Sequence, residues 1–251
     1  MDITSLTSPE QAYLGIPAVI KGLCSIYPVT LREIGEIGAS KFYSYLNFFT
    51  LKKEDVDEFL KENDFAEEKN LTVFQFHLIN SLIDENYKRE WQDAFSFFLH
   101  TKDLIIAREN EAIILGDIKD GCIIKQKEFD LICEVISFQN TINKSSAEEE
   151  ENPSDSKAAA ILKKIKEGRR VREKTSKSDL KFIDLVASLA AKGNGLNALN
   201  VWDLTYYGFN DQFKRMQMIE EYQSARSSIL AGADPKKVEL KDWLRPIENE
   251  K

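Results

Sequence analysis

At 251 residues with 43% apolar content, the chain has the length of one large domain or two modest ones and enough apolar matter for a packed core. A formal net charge of -8 and a pI near 5.1 argue against a basic coat for nonspecific nucleic-acid binding, so any such activity has to be local. Cys24, Cys122 and Cys133 are odd in number and lack CxxC spacing, which points away from a disulfide framework or a zinc site and fits a reducing cytoplasm. The opening "MDITSLTSPEQAYLGIP" has no basic or apolar leader pattern, and no uncharged apolar run approaches the roughly 20 residues that span a bilayer. The expectation is a soluble, unsecreted chain with no membrane association.

In chain order, "AVIKGLCSIYPV" (Ala18–Val29) is β-branched and bounded by Pro17 and Pro28, which predicts a strand entering a helix. Thr30 caps "LREIGEIGASKFYSYLNFFTL" with Glu33 as its capping-box partner, and Leu31, Ile34, Ile37, Phe42, Tyr45 and Phe49 give that helix an apolar face. Gly35 and Gly38 weaken the helix and point to close packing. "KKEDVDEFLKEN" predicts a short charged helix. Thr72 opens a longer helical region, Val73–Leu99, with a break near Asn86. Ala112–Leu115 and Cys122–Ile124 flank an Asp120-Gly121 pair suited to a hairpin turn. "KEFDLICEVISFQNTI" returns to helical periodicity through Phe129, Ile132, Val135, Ile136 and Ile142, closing a domain over residues 1–142.

Residues 143–157, with a Glu148 to Glu151 run and almost nothing apolar, predict an acidic flexible linker, because they bury too little to offset ordering entropy. A basic stretch follows, then "DLKFIDLVASLAAKGNG", a helix that Gly193 is placed to end. "VWDLTYYGFNDQFKRMQ" opens a helix predicted from Val201 to Ala231. Trp202, Tyr206, Phe209, Phe213 and Met216 share one stripe there, while Asn210, Asp211, Lys214 and Gln217 face away. That stripe is either a core face or a docking groove. Asp234-Pro235 predicts a last short helix through "KKVELKDWL", with Val238 and Trp243 docking back. The expected fold class is α+β, mainly helical: an N-terminal helical domain with a small β-hairpin (1–142), the linker (143–157) and an all-helical C-terminal module (158–251).

Catalytic signatures are scarce. His77 lies in the apolar "FQFHLIN" and His100 at a helix end, and both read as structural; HExxH, GxSxG, GxxxxGK[ST] and GxGxxG do not occur. "GNG" at Gly193 follows a helix rather than a strand, which is the wrong setting for a phosphate cradle. "GDIKDGCIIKQKEFD" fails as a calcium loop, because with Gly121 at the sixth position the first, third and twelfth fall on Gly116, Ile118 and Lys127. The cysteines lie in apolar runs without a neighbouring base. Lys163, Lys164, Lys166, Arg169, Arg170, Arg172, Lys174 and Lys177 suit phosphate contacts yet lack interleaved aromatics. A solvated helix paired with the Glu148 to Glu151 run is the simpler account; a nucleic-acid-binding or regulatory adaptor acting through residues 163–177 stays as the alternative. No catalytic, cofactor-binding or metal-ligating residue is assigned.

Two segments carry a resemblance. "IYPVTLREIGEIGASKFYSYL" and "LTYYGFNDQFKRMQMIEEYQSARSSILAGADPKKVELKDWLRPI" resemble the opening and the C-terminal region of the tail assembly chaperones of long-tailed bacteriophages and prophages, of the Gram-positive host type. Between them the likeness is one of layout, and that family includes short forms and longer frameshifted forms. The resemblance implies a noncatalytic chaperone of the bacterial host cytoplasm, not carried into the mature virion. Such a protein binds the tape-measure protein, whose apolar helical faces would aggregate alone, and helps recruit tail-tube subunits. It implies binding rather than chemistry, with no cofactor expected and room left for self-association; nucleic acid is the disfavoured partner, as the acidic composition already indicates. Trp202 and Phe213 are then expected to hold the fold, and Tyr206, Tyr207, Phe209 and Arg215 to reach the partner.

Overall fold

Ser8, Thr30 and Thr72 each precede a helix, and each is followed three residues later by Gln11, Glu33 or Gln75; all three pairs close as reciprocal capping boxes. They open α1 (Pro9–Leu14), α2 (Leu31–Ile37) and α5 (Val73–Ile83). The computed structural model describes residues 3–62, 71–102, 104–107, 112–116, 121–140, 181–193, 195–235 and 237–247. The expected acidic linker at 143–157 and the basic Lys163 to Lys177 stretch lie outside the described residues, as does Asp120 of the expected turn. Among the described residues the fold is α+β and mainly helical, with nine α-helices and two small antiparallel sheets.

The run Ala18–Val29 corrects the reading of one strand entering a helix. It folds on itself as β1 (Ala18–Ile20) and β2 (Cys24–Ile26), with Ile20 paired to Cys24 across a turn at Lys21, Gly22 and Leu23. The single helix expected from Leu31 is two. Gly38, at φ +86°, ends α2 and starts α3 (Ala39–Thr50), a left-handed φ that favours glycine. α4 (Lys53–Glu62) forms as expected. The break before α6 (Glu85–Leu99) falls at Asp84, whose carboxylate accepts the Asn86 N–H at 2.8 Å.

The expected hairpin of β4 (Ala112–Leu115) and β5 (Cys122–Ile124) is present and gains an unanticipated edge strand, β3 (Leu104–Ala107), in the order β3-β4-β5. α7 (Gln126–Gln139) packs on α3 and α5. α8 (Phe182–Lys192) ends at Gly193, whose N–H reaches the Leu189 carbonyl at 2.7 Å. A 3-10 turn, Val201–Asp203, leads into α9 (Tyr206–Leu230). The last short helix does not form: residues 231–235 and 237–247 hold only turns and irregular backbone. A helix that short needs packing to persist, and of the two side chains expected to dock, Trp243 stays exposed while Val238 is half-buried.

The core is aromatic. Trp91, Phe42, Phe74, Phe95, Phe98 and Phe129 are almost fully buried, with Phe49 set edge-on to Phe95 at 5.0 Å and to Phe98 at 5.3 Å. Val186, Leu189, Val201 and Phe209 belong to the same buried cluster, so the segments before residue 141 and after residue 180 share one core. No helix among the described residues is long and apolar enough to cross a membrane.

Candidate functional site

Two threonines set the geometry of the region that holds the sequence-predicted contact residues. Thr30 caps α2 and Thr205 caps α9, and the two form an antiparallel bridge. The Leu31 N–H donates to the Leu204 carbonyl at 2.9 Å and the Tyr206 N–H to the Val29 carbonyl at 2.7 Å. Both helices therefore start from one point. The Thr205 hydroxyl accepts the Gly208 N–H at 3.0 Å and donates to the Tyr13 carbonyl at 3.3 Å, which brings α1 to the same place. Tyr13 and Gln212 add a side-chain hydrogen bond between α1 and α9. Arg32 and Asp203 pair at 2.6 Å, but both side chains are well exposed, so solvent screens the pair and its main effect is orientation.

The aromatic stripe lies in this seam. Tyr206 sets its ring against Phe42 at 5.1 Å, with its hydroxyl 3.4 Å from that of Tyr43; burial first, and then Tyr43, raises its pKa above the usual tyrosine value. Phe209 is 4% exposed and packs against Phe182 of α8, Tyr206 and Phe213 at 5.9 to 6.1 Å. Tyr207 is half-buried beside Phe138 at 5.9 Å, and burial raises its pKa as well. Arg215 donates from Nη1 to the Arg245 carbonyl at 2.7 Å, tying the end of the described chain to α9. Trp202 and Phe213 are half-buried against the core, in keeping with fold-holding roles. A direct partner contact by Phe209 does not fit its burial, and Tyr206 turns its ring inward. Within the chain, Tyr206 thus meets α3, Tyr207 meets α7, Phe209 meets α8, and Arg215 meets the segment after α9.

Gly35 is the close approach that its place in the sequence pointed to. A Cβ there would meet Trp202 Cζ3 at 3.2 Å. Gly35→Ala is expected to change stability little, since about 1 kcal/mol of helix propensity offsets a few tenths of an ångström of adjustment. Gly35→Val drives two methyls into the indole and is expected to cost about 1–3 kcal/mol, with a shift in tryptophan emission. A melt unchanged from wild type for Gly35→Val would remove the close contact from the account.

The remaining candidates for chemistry are built into the structure. His77 is buried between Tyr87 and the Phe48 carbonyl. His100, in the left-handed region at φ +50°, stacks on Tyr27 at 4.1 Å and pairs with Glu33 at 3.2 Å. Burial, with Cys122 adding to it, pushes the Cys24 thiol up to about 12, which keeps it protonated and poorly nucleophilic at neutral pH. Among the described residues no three His, Cys, Asp or Glu side chains converge as a metal site requires. No curated protein and no solved structure matches this chain. The family model of the YomV second domain, of a Bacillus phage or prophage type, matches residues 173–248, the stretch that carries α8, the Thr205 side of the seam and α9; the chain is similar to that domain there, and the similarity suggests a phage-related protein.

Proposed function

We propose that this chain is a noncatalytic phage tail assembly chaperone that binds the tape-measure protein and helps recruit tail-tube subunits in the host cytoplasm. The observation that carries the reading is a coincidence of place. The phage-type match covers residues 173–248, and Leu204–Ile247 is the segment whose sequence resembles the C-terminal region of such chaperones. Physical chemistry supports the same task. A tape measure with long apolar helical faces needs an apolar receiving surface, and this chain exposes large apolar side chains outside its core.

Coexpression with the tape-measure protein of the same phage, followed by pull-down and a sedimentation assay, tests this. The expected result is a soluble complex, and tail-tube protein that polymerises on the tape measure only when the chain is present. A tape measure that sediments equally with and without the chain overturns the proposal. Loss of copurifying nucleic acid together with loss of function, on reversing charges in Lys163 to Lys177, would instead favour the adaptor reading.

A further inference from the structure

The three strands β3, β4 and β5 contain no polar side chain. An antiparallel sheet with one wet face normally alternates apolar and polar residues, whereas strands apolar throughout belong to sheets covered on both sides. Among the described residues the inner face is packed, whereas the outer face is buried at Ala112 and open at Ile105 and Ile123. Ile113 and Ile124 are fully buried on the inner side, but the register pairs Ile105 with Ile114 and Ile114 with Ile123, making a three-rung isoleucine ladder on the outer side. Ile105 is 39% and Ile123 53% exposed. Ile123 also lines a groove of about 590 Å³ that runs to Leu131 on α7 and Leu23 at the β1–β2 turn.

We propose that this ladder and groove form a docking surface for one amphipathic helix with basic flanks, laid across the strands; on the chaperone reading, on which this assignment of the partner rests, the helix is a segment of the tape-measure protein. Spacing selects a helix. Neighbouring strands lie about 4.8 Å apart, close to the roughly 5 Å that an amphipathic helix advances between successive apolar anchors, whereas anchors on one face of an extended strand are about 7 Å apart. Charge selects the flanks. Glu128, Asp130 and Glu134 line the groove against Lys21 and Lys127, an acidic excess on a chain of net charge -8. Area disfavours a second copy as the occupant, since three partly exposed isoleucines fall well short of the roughly 800 Å² per partner of a standard interface.

The experiment measures binding of the full chain to two synthetic helical peptides, leucine–lysine and leucine–glutamate, by fluorescence anisotropy, in parallel with the tape-measure pull-down. The leucine–lysine peptide is expected to bind better. Ile105→Thr with Ile123→Thr is expected to weaken it by about tenfold or more with little change in melting, because both side chains are already exposed. Asp130→Lys, at an exposed helical position, is expected to shift preference toward the leucine–glutamate peptide and guards against misfolding of the sheet variant. Equal binding of the two peptides, or undiminished binding by the double variant, overturns the proposal. So does a concentration-dependent dimer abolished by Ile123→Thr, which assigns the face to a second copy. Variants that lose the peptide but keep the tape measure overturn the assignment of partner. A wild-type chain that binds the peptide through the ladder and never retains tape measure leaves the surface standing and fails the chaperone reading instead.

Discussion

Phe209→Ala is expected to destabilise the chain by about 3–5 kcal/mol, the cost of removing a fully packed ring whose site cannot fully collapse. The ring is 4% exposed and stands between Phe182, Tyr206 and Phe213, so its loss opens a void where α8 meets α9. Unfolding should report first on the seam, through Trp202 emission, because Trp202 sits just before the Thr205 cap and against Gly35. Tyr207→Ala provides the contrast. Its ring is half-buried and touches the body beside Phe138, so truncation should cost far less than at Phe209. Urea unfolding of both variants decides the matter. A cost below about 1 kcal/mol for Phe209→Ala would mean that the ring is solvated in solution, and would return it to the list of partner contacts.

That contrast shows where the sequence was informative. Thr30 with Glu33, the α4 helix, the β4–β5 pair and the Gly193 stop depend on residues within a few positions of each other, and each was legible. The stripe from Trp202 to Met216 was legible as a face because helical periodicity is local. What the face meets was not, since Tyr206 packs on Phe42 and bonds Tyr43, 163 residues earlier in the chain. Core and docking groove have the same local pattern. The isoleucine ladder was hidden for a related reason: each strand reads as an ordinary apolar run, and only the register sets Ile105, Ile114 and Ile123 side by side. Two misreadings were local. Lys21-Gly22 sits inside a β-prone run and bends it into a hairpin, and Asp234-Pro235 offers a helix start whose apolar residues Leu240, Trp243 and Leu244 stay exposed.

Acidification is expected to weaken the fold through His77. The ring is 1% exposed, and aromatic neighbours enclose it: Trp91 at 5.2 Å, Phe48 at 5.7 Å and Phe129 at 5.8 Å. Nε2–H donates to the Phe48 carbonyl at 2.9 Å, so Nδ1 accepts from the Tyr87 hydroxyl at 2.6 Å, an arrangement that fits the neutral tautomer. Burial lowers the pKa from 6.5 to about 4, with the Phe48 carbonyl pulling the other way. The folded value lies below the unfolded one, so the contribution is complete above about pH 6.5, where the ring is neutral in both states. Between 6.5 and 4 the unfolded chain takes up a proton that the folded chain refuses, and stability falls by about 1.4 kcal/mol per pH unit, to a total of about 3 kcal/mol. His77→Gln removes the titration while keeping a polar side chain between Tyr87 and Phe48. The variant should be less stable than wild type at pH 7.5, and the gap should narrow by about 2–3 kcal/mol at pH 4.5 as wild type loses its His77 term. Comparing the two chains cancels the ionisable groups that they share. A gap that stays constant over that range in urea unfolding would mean that His77 is protonated in the fold or reaches solvent, and the aromatic core around it would need another account.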